Sequence, residues 1–177
     1  LVKAWIAGGA DFSKTLGKRG IEKNLLVPFF KKEFIPDFPV TDLAPIPVDS
    51  LKVFAEKGIL VEPISLDNNL LKVSCVNFTA FTNADWEMLK GISSHVAWLD
   101  LSGTGVSDSL MVHVAELPNL TVLKLNATNI AGTHLEKLLA NTNLKRLYLN
   151  YTRVDWQALQ TLKSHPSLQG LFAYDTP

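Results

Sequence analysis

LTVLKLNATNI, residues 120–130, places Leu120, Leu123 and Leu125 ahead of Thr128 and Ile130. The same frame returns 24 residues earlier as VAWLDLSGTGV (96–106), 24 residues later as LKRLYLNYTRV (144–154), and again as LQGLFAYDTP (168–177). A more divergent copy, LKVSCVNFTAF, starts 25 residues before Val96, at Leu71. The shared pattern is L-x-x-L-x-L-x-x-T-x-[IV]. Self-similarity at a fixed period of this length marks an array of small units, each unable to bury its own apolar face.

A second set of periodic positions lies between these strings. Trp86, Met111, Leu135 and Leu159 form one column, and Leu89, Val114, Leu138 and Leu162 form another three residues on. That offset is helical. Each unit therefore reads as a short strand, a turn and a helix of two to three turns. The predicted core is Leu99, Leu123, Leu147 and Leu171 with Leu101, Leu125, Leu149 and Ala173, and the strands are expected in parallel about 4.8 Å apart. Asn83, Ser107 and Asp155 stand at expected helix N-caps. Thr79, Thr104, Thr128, Thr152 and Thr176 form a hydroxyl column with no base at a matching spacing. It reads as a structural ladder in which each hydroxyl bonds a backbone group of its own turn or the next.

These residues resemble the leucine-rich repeat family, in a variant with Thr where Asn is usual, from about Leu71 to Pro177. The resemblance implies an α/β solenoid, a right-handed superhelix with a parallel sheet on its concave face and short helices on its convex face. An N-terminal helical and linker segment precedes it. PIPVDSLKVFAEKG (45–58) reads as a helix begun near Asp49 and Ser50 and ended by Gly58 in the left-handed conformation. GILVEPIS then gives a strand and Asp67–Asn69 a turn, so residues 48–70 are expected to cap a repeat domain spanning 48–177. KKEFIPDFPVTDLAPIPV (31–48), rich in proline, is expected to be extended, within a connector covering 16–47. At the other end LFAYDTP stops one residue short of the next apolar position, which predicts that the native chain continues past Pro177.

Composition excludes several functions. Lys plus Arg, at 17, equals Asp plus Glu, and charged residues make up 19% against 47% hydrophobic. No net field draws nucleic acid. The apolar runs are too short to span a bilayer, so no direct membrane insertion of this segment is expected. The single cysteine, Cys75, can form no internal disulfide and reads as a small strand residue. His95, His113, His134 and His165 occupy four different repeat positions, so no metal site is expected and each reads as a surface or helix residue. No nucleophile elbow or phosphate loop is present. No catalytic residue and no cofactor is assigned to the chain.

The variable residues between the leucines are the informative ones. They are expected outward in three columns: Val73, Trp98, Val122, Arg146, Gly170; Cys75, Asp100, Lys124, Tyr148, Phe172; and Asn77, Ser102, Asn126, Asn150, Tyr174. Asp100 should neighbour Lys124, and Tyr148 should neighbour Phe172. Trp98, Asp100, Lys124, Arg146, Tyr148, Tyr151, Phe172 and Tyr174 form a candidate recognition face for a protein or glycan, since aromatics and Arg are enriched at binding hot spots. Cross-strand aromatic pairs that merely stabilise a sheet explain the same residues equally well. Oligomeric state is left open.

LVKAWIAGGADF, at the start of the chain, is similar through Leu1, Trp5, Ile6, Gly9 and Ala10 to the closing helix of a c-type cytochrome domain. Such domains occur in large membrane proteins of planctomycetes and Bacteroidetes. That resemblance implies that residues 1–15 are the tail of a preceding domain holding haem c, that the repeats lie on the extracytoplasmic, periplasmic side of a bacterial membrane, and that they serve as a docking portion in electron transfer. No C-x-x-C-H occurs in the chain, so no haem-binding residue is assigned.

Overall fold

A computed structural model of the chain describes residues 38–65 and 68–177. The expected helix end at Leu1–Ile6, most of the connector, and part of the turn at Asp67–Asn69 lie outside the described residues. The chain is mixed α/β, with a six-stranded sheet in the order β1 to β6. Strands β2 (Leu71–Ser74), β3 (Val96–Asp100), β4 (Val122–Lys124), β5 (Arg146–Tyr148) and β6 (Gly170–Phe172) pair in parallel with their sequence neighbours. β1 (Leu60–Pro63) pairs antiparallel with β2 and covers the first edge, as expected of a cap. Helix α1 (Val48–Glu56) leads into β1, and Gly58 ends that approach at φ +81°. The helix begins near Asp49 and Ser50 as expected; no side chain caps it, and Asp49 pairs with Lys52 at 2.7 Å.

The core follows the repeat. Leu99, Leu123 and Leu147 lie in register, and they share one cluster with Leu101, Leu125, Leu149, Met111, Leu135, Leu89, Val114, Leu138 and Leu162. Most of these side chains are fully buried.

The helical layer differs from expectation. It consists mostly of 3-10 turns, at Asn83–His95, Asp108–Leu110, Leu135–Ala140 and Thr161–Ser164. Only α2 (Met111–Val114) and α3 (Trp156–Gln160) are α-helical. A 3-10 turn rises about 2.0 Å per residue against about 1.5 Å for an α-helix, so few residues cross the back of each unit. Caps differ as well. Asp155 accepts from the Ala158 amide as expected. At the first repeat the cap position is Thr82, whose amide and hydroxyl are held by the Asp85 carboxylate. Asn83 instead reaches the next unit, accepting from the Ser107 amide and donating to its hydroxyl. Ser107 makes no side-chain cap bond of its own.

The threonine column closes each turn on itself. The hydroxyls of Thr104, Thr128 and Thr152 donate to the carbonyls of Leu101, Leu125 and Leu149, three residues back, at 2.6–2.7 Å. Thr79 does not belong to this column, since it is exposed; the turn there is closed by the Phe78 amide on the Cys75 carbonyl. The residue before each ladder threonine is left-handed: Gly103 at φ 72°, Ala127 at 53° and Tyr151 at 58°, with Asp175 at 54° before Thr176. That backbone aims the amides of Gly103, Ala127 and Tyr151 at carbonyls of the next unit, on Asn126, Asn150 and Tyr174.

The end of the expected connector is tied to the fold. Asn69 Nδ2 donates to the Leu43 carbonyl at 2.6 Å, His95 Nε2 donates to the Ala44 carbonyl at 2.9 Å, and Ile46 packs on the core. Residues 38–47 are therefore an anchored strap rather than a free spacer.

Two substitutions test the turn. Thr128→Val leaves the Leu125 carbonyl without its donor and should cost about 1–2 kcal/mol in urea unfolding. Ala127→Gly relieves a left-handed alanine and should raise stability by about 0.5–1 kcal/mol, after the entropy that glycine adds to the unfolded chain.

Candidate functional site

The face of the sheet opposite the leucine core collects the expected residues. Trp98, Val122, Arg146 and Gly170 are register partners, as are Asp100, Lys124, Tyr148 and Phe172. Side chains alternate along each strand, so both columns face away from the core.

The first strand departs from the expected columns. A register shift between Leu71 and Lys72 sets Lys72 beside Trp98 and Ser74 beside Asp100, and puts Val73 beside Leu99. Val73 and Cys75 are buried, and neither belongs to the outer face. A one-residue slip turns every side chain of a strand to the other face. The alternation in LKVSC, apolar at Leu71, Val73 and Cys75 and polar at Lys72 and Ser74, carries that signal within the strand itself. Lys72 is thus a residue of this face that column alignment missed. It lies 3.6 Å from Glu62 of β1.

At the centre, the face is occupied by its own contacts. Lys124 Nζ lies 3.5 Å from the Asp100 carboxylate and sits between two rings, 5.2 Å from the Trp98 centroid and 5.5 Å from that of Tyr148. Lys72 Nζ approaches Trp98 from the other side at 5.9 Å. The rings of Tyr148 and Phe172 stack with centroids 4.4 Å apart and planes 8° from parallel. The Arg146 guanidinium lies 5.9 Å from the Phe172 centroid and donates from Nη1 to the Tyr148 hydroxyl at 3.3 Å. Cation and ring faces attract through the ring quadrupole, and the offered faces here are already taken. Trp98, Asp100, Lys124, Arg146 and Tyr148 are all partly buried.

The edge beside β6 is different. Tyr151 and Tyr174 form an edge-to-face pair with centroids 5.7 Å apart, and are 57% and 70% exposed. Phe172 keeps one side open at 39%. Leu171, the register partner of the fully buried Leu147, is 38% exposed. A shallow groove of about 380 Å³ lies beneath it, lined by Trp156, Leu159, Leu162 and Leu171 with Gln160 and Lys163. The eight sequence-selected residues therefore fall into a self-paired centre and an open aromatic edge. Behind the edge, Asn126 Oδ1 accepts from the Asn150 amide and Asn150 Oδ1 accepts from the Tyr174 amide, so the third outward column serves the backbone.

Groups that carry chemistry elsewhere are committed here. Burial, and next the nearby Asp100 and Asp85 carboxylates, push the Cys75 thiol up to about 12. A thiol so held is no nucleophile. His165 is buried, against expectation, because both ring nitrogens serve the backbone. Its Nε2–H donates to the Leu138 carbonyl at 3.0 Å, and Nδ1 accepts from the Ser167 and Leu168 amides. His113 stacks on Trp86, with centroids 6.1 Å apart.

Comparison with protein-family models finds no matching family, and comparison with curated proteins finds no match. Among solved structures, the chain is similar to leiomodin-1 actin-binding site 2, at a TM-score of 0.52 and 19% identity over 74% of this chain and 81% of that one. At that identity the likeness shows the fold alone.

A double-mutant cycle on Tyr148→Ala and Phe172→Ala should return a coupling of about 0.5–1.5 kcal/mol in thermal or urea unfolding. Additive losses would mean that the stacked rings act independently in solution.

Proposed function

We propose that this chain is a leucine-rich repeat solenoid that acts as a non-catalytic module, binding another protein on its sheet face, with the contact centred on Tyr151, Phe172 and Tyr174. The observation that carries the reading is the clustering of these three rings in contact pairs beside Tyr148 on the side of the sheet away from the leucine core, with Tyr151 57% exposed. An apolar ring left in water is unfavourable by its buried-area value, and contiguous exposed rings mark an interaction surface. Tyrosine suits the role because it offers a large contact area with two rotatable bonds and a hydroxyl that tolerates solvent.

The central residues act as a foundation for that contact. Arg146 and Tyr148 hold Phe172 in place, so the ring is ordered before a partner arrives and less entropy is lost on binding. One neighbour in fold is an actin-binding site, which supports a protein partner for this architecture and identifies none for this chain. Support for a module without catalysis comes from the commitments of Cys75, the threonine hydroxyls and His165 to burial or backbone.

The test is a pull-down from extract of the source cells followed by titration of the partner so identified. Tyr151→Ser with Tyr174→Ser should weaken binding at least about tenfold, equivalent to about 1.4 kcal/mol, while Val112→Ser in α2 leaves it unchanged. Equal affinity for the wild type and the tyrosine variant would overturn the proposed contact.

A further inference from the structure

The chain uses one repeat position in two chemical ways. Asn141 and His165 are 24 residues apart, and both point a nitrogen into the backbone of the preceding unit. Asn141 Nδ2 donates to the carbonyls of Val114, Ala115 and Leu117 at 3.0–3.3 Å. An amide does this at every physiological pH. His165 donates from Nε2 to Leu138, and also accepts on Nδ1 from the amides of Ser167 at 3.3 Å and Leu168 at 3.1 Å. Because a carbonyl only accepts and an amide N–H only donates, these bonds fix the neutral ring with its proton on Nε2.

The two amides held by Nδ1 lie at the entrance to β6. Immediately after them, the amides of Gln169 and Gly170 donate to the Lys145 carbonyl, which starts the pairing of β6 with β5. Ser167 Oγ adds a bond to the Leu144 carbonyl at 2.9 Å. Farther along, the Phe172 carbonyl accepts from Leu149 and the Tyr174 carbonyl from Tyr151. The turn at 165–168 therefore sets the position of the strand that carries Phe172 and leads to Tyr174.

We propose that His165 is a pH-sensitive pin for the aromatic edge: neutral, it holds the turn into β6, and protonated, it releases that turn and the placement of Phe172 and Tyr174. A proton on Nδ1 would face two N–H groups in place of a lone pair. The ring would keep its bond to Leu138 and lose the two that organise the turn. Burial lowers the ring's pKa below 6.5, against a smaller raising effect of the Leu138 carbonyl. Charged side chains on the packed elements are Glu136 and Lys137 on the preceding 3-10 helix, Lys163 on its own helix, and Lys145 and Arg146 at the head of β5. The first three are exposed, and none of the five is among the causes of the shift. The sign follows: below pH 6.5 the unfolded chain binds more protons at this position, so stability held above 6.5 is lost as pH falls through the lowered folded value.

The consequence for binding rests on the reading of the edge given above, whereas the pin itself is measurable without a partner. Amide hydrogen exchange by NMR, corrected for intrinsic rates, would compare about pH 7.5 with about pH 5. Protection of Ser167, Leu168 and Gly170 should fall about tenfold or more, while Leu144, in the asparagine-pinned unit, stays unchanged. In His165→Asn, the pH response should vanish. Equal protection of Ser167 and Leu168 at both pH values in the wild type overturns the proposal, whether or not the variant folds, as does the same pH-dependent loss in His165→Asn. An amide response with unchanged partner affinity upholds the pin and overturns the binding edge.

Discussion

Three units of this chain turn their backbone away from the sheet at a core residue that directly follows the strand. The carbonyls of Leu101, Leu125 and Leu149 are in that position, and the hydroxyl three residues later takes each of them. An unpaired buried carbonyl would cost about 1–3 kcal/mol, more than the left-handed residue beside it costs in strain. The exchange explains why Ala127 and Tyr151 accept a conformation that Gly103 adopts freely. Because the turn repeats at a fixed spacing, the next strand emerges in register, and Leu99, Leu123 and Leu147 stack. Core and outer columns both inherit their alignment from this one hydrogen bond.

The outer columns show how far such alignment can go in one protein. Stacking at the strand spacing brings like positions close together, so the chain alternates the kinds of group it places there. Asp100, Lys124, Tyr148 and Phe172 run as anion, cation, ring and ring. Each member meets a neighbour it attracts, and Lys124 serves Asp100 and two rings at once. Partly buried charge is tolerable in this arrangement because it is paired and faces ring electrons. At β6 the column ends in Phe172, whose ring stacks on Tyr148.

The repeat columns in the sequence revealed the parallel sheet, the leucine core, and the Asp100–Lys124 and Tyr148–Phe172 pairs, because each depends on spacing alone, whereas the strand before them is read from the local stretch GILVEPIS. What spacing could not reveal depends on local backbone. The divergent first copy has a shifted strand, which exchanges Val73 and Cys75 for Lys72 and Ser74 and removes Thr79 from the ladder. Helical columns at an offset of three fit a 3-10 turn as well as an α-helix, so the layer's true winding was hidden. Asn83 shows that a capping residue type can serve a neighbouring unit instead. That the histidines share no repeat position says nothing about their burial. The equivalence of His165 with Asn141 was present in the numbering and needed the backbone bonds to give it meaning.

A stack of this kind gains stability from each unit and from each interface between units. Interior strands such as β4 have an interface on both sides, while β6 has β5 alone within the described sheet. That is the strand bearing Phe172 and followed by Tyr174, where the pairing with Tyr148 and Tyr151, the Asn150 bond to the Tyr174 amide and the His165 turn all converge. These bonds belong to the edge more than to the core. A surface that must stay ordered to bind requires local reinforcement of this kind, and titrating one element of it changes the edge before the rest of the fold responds.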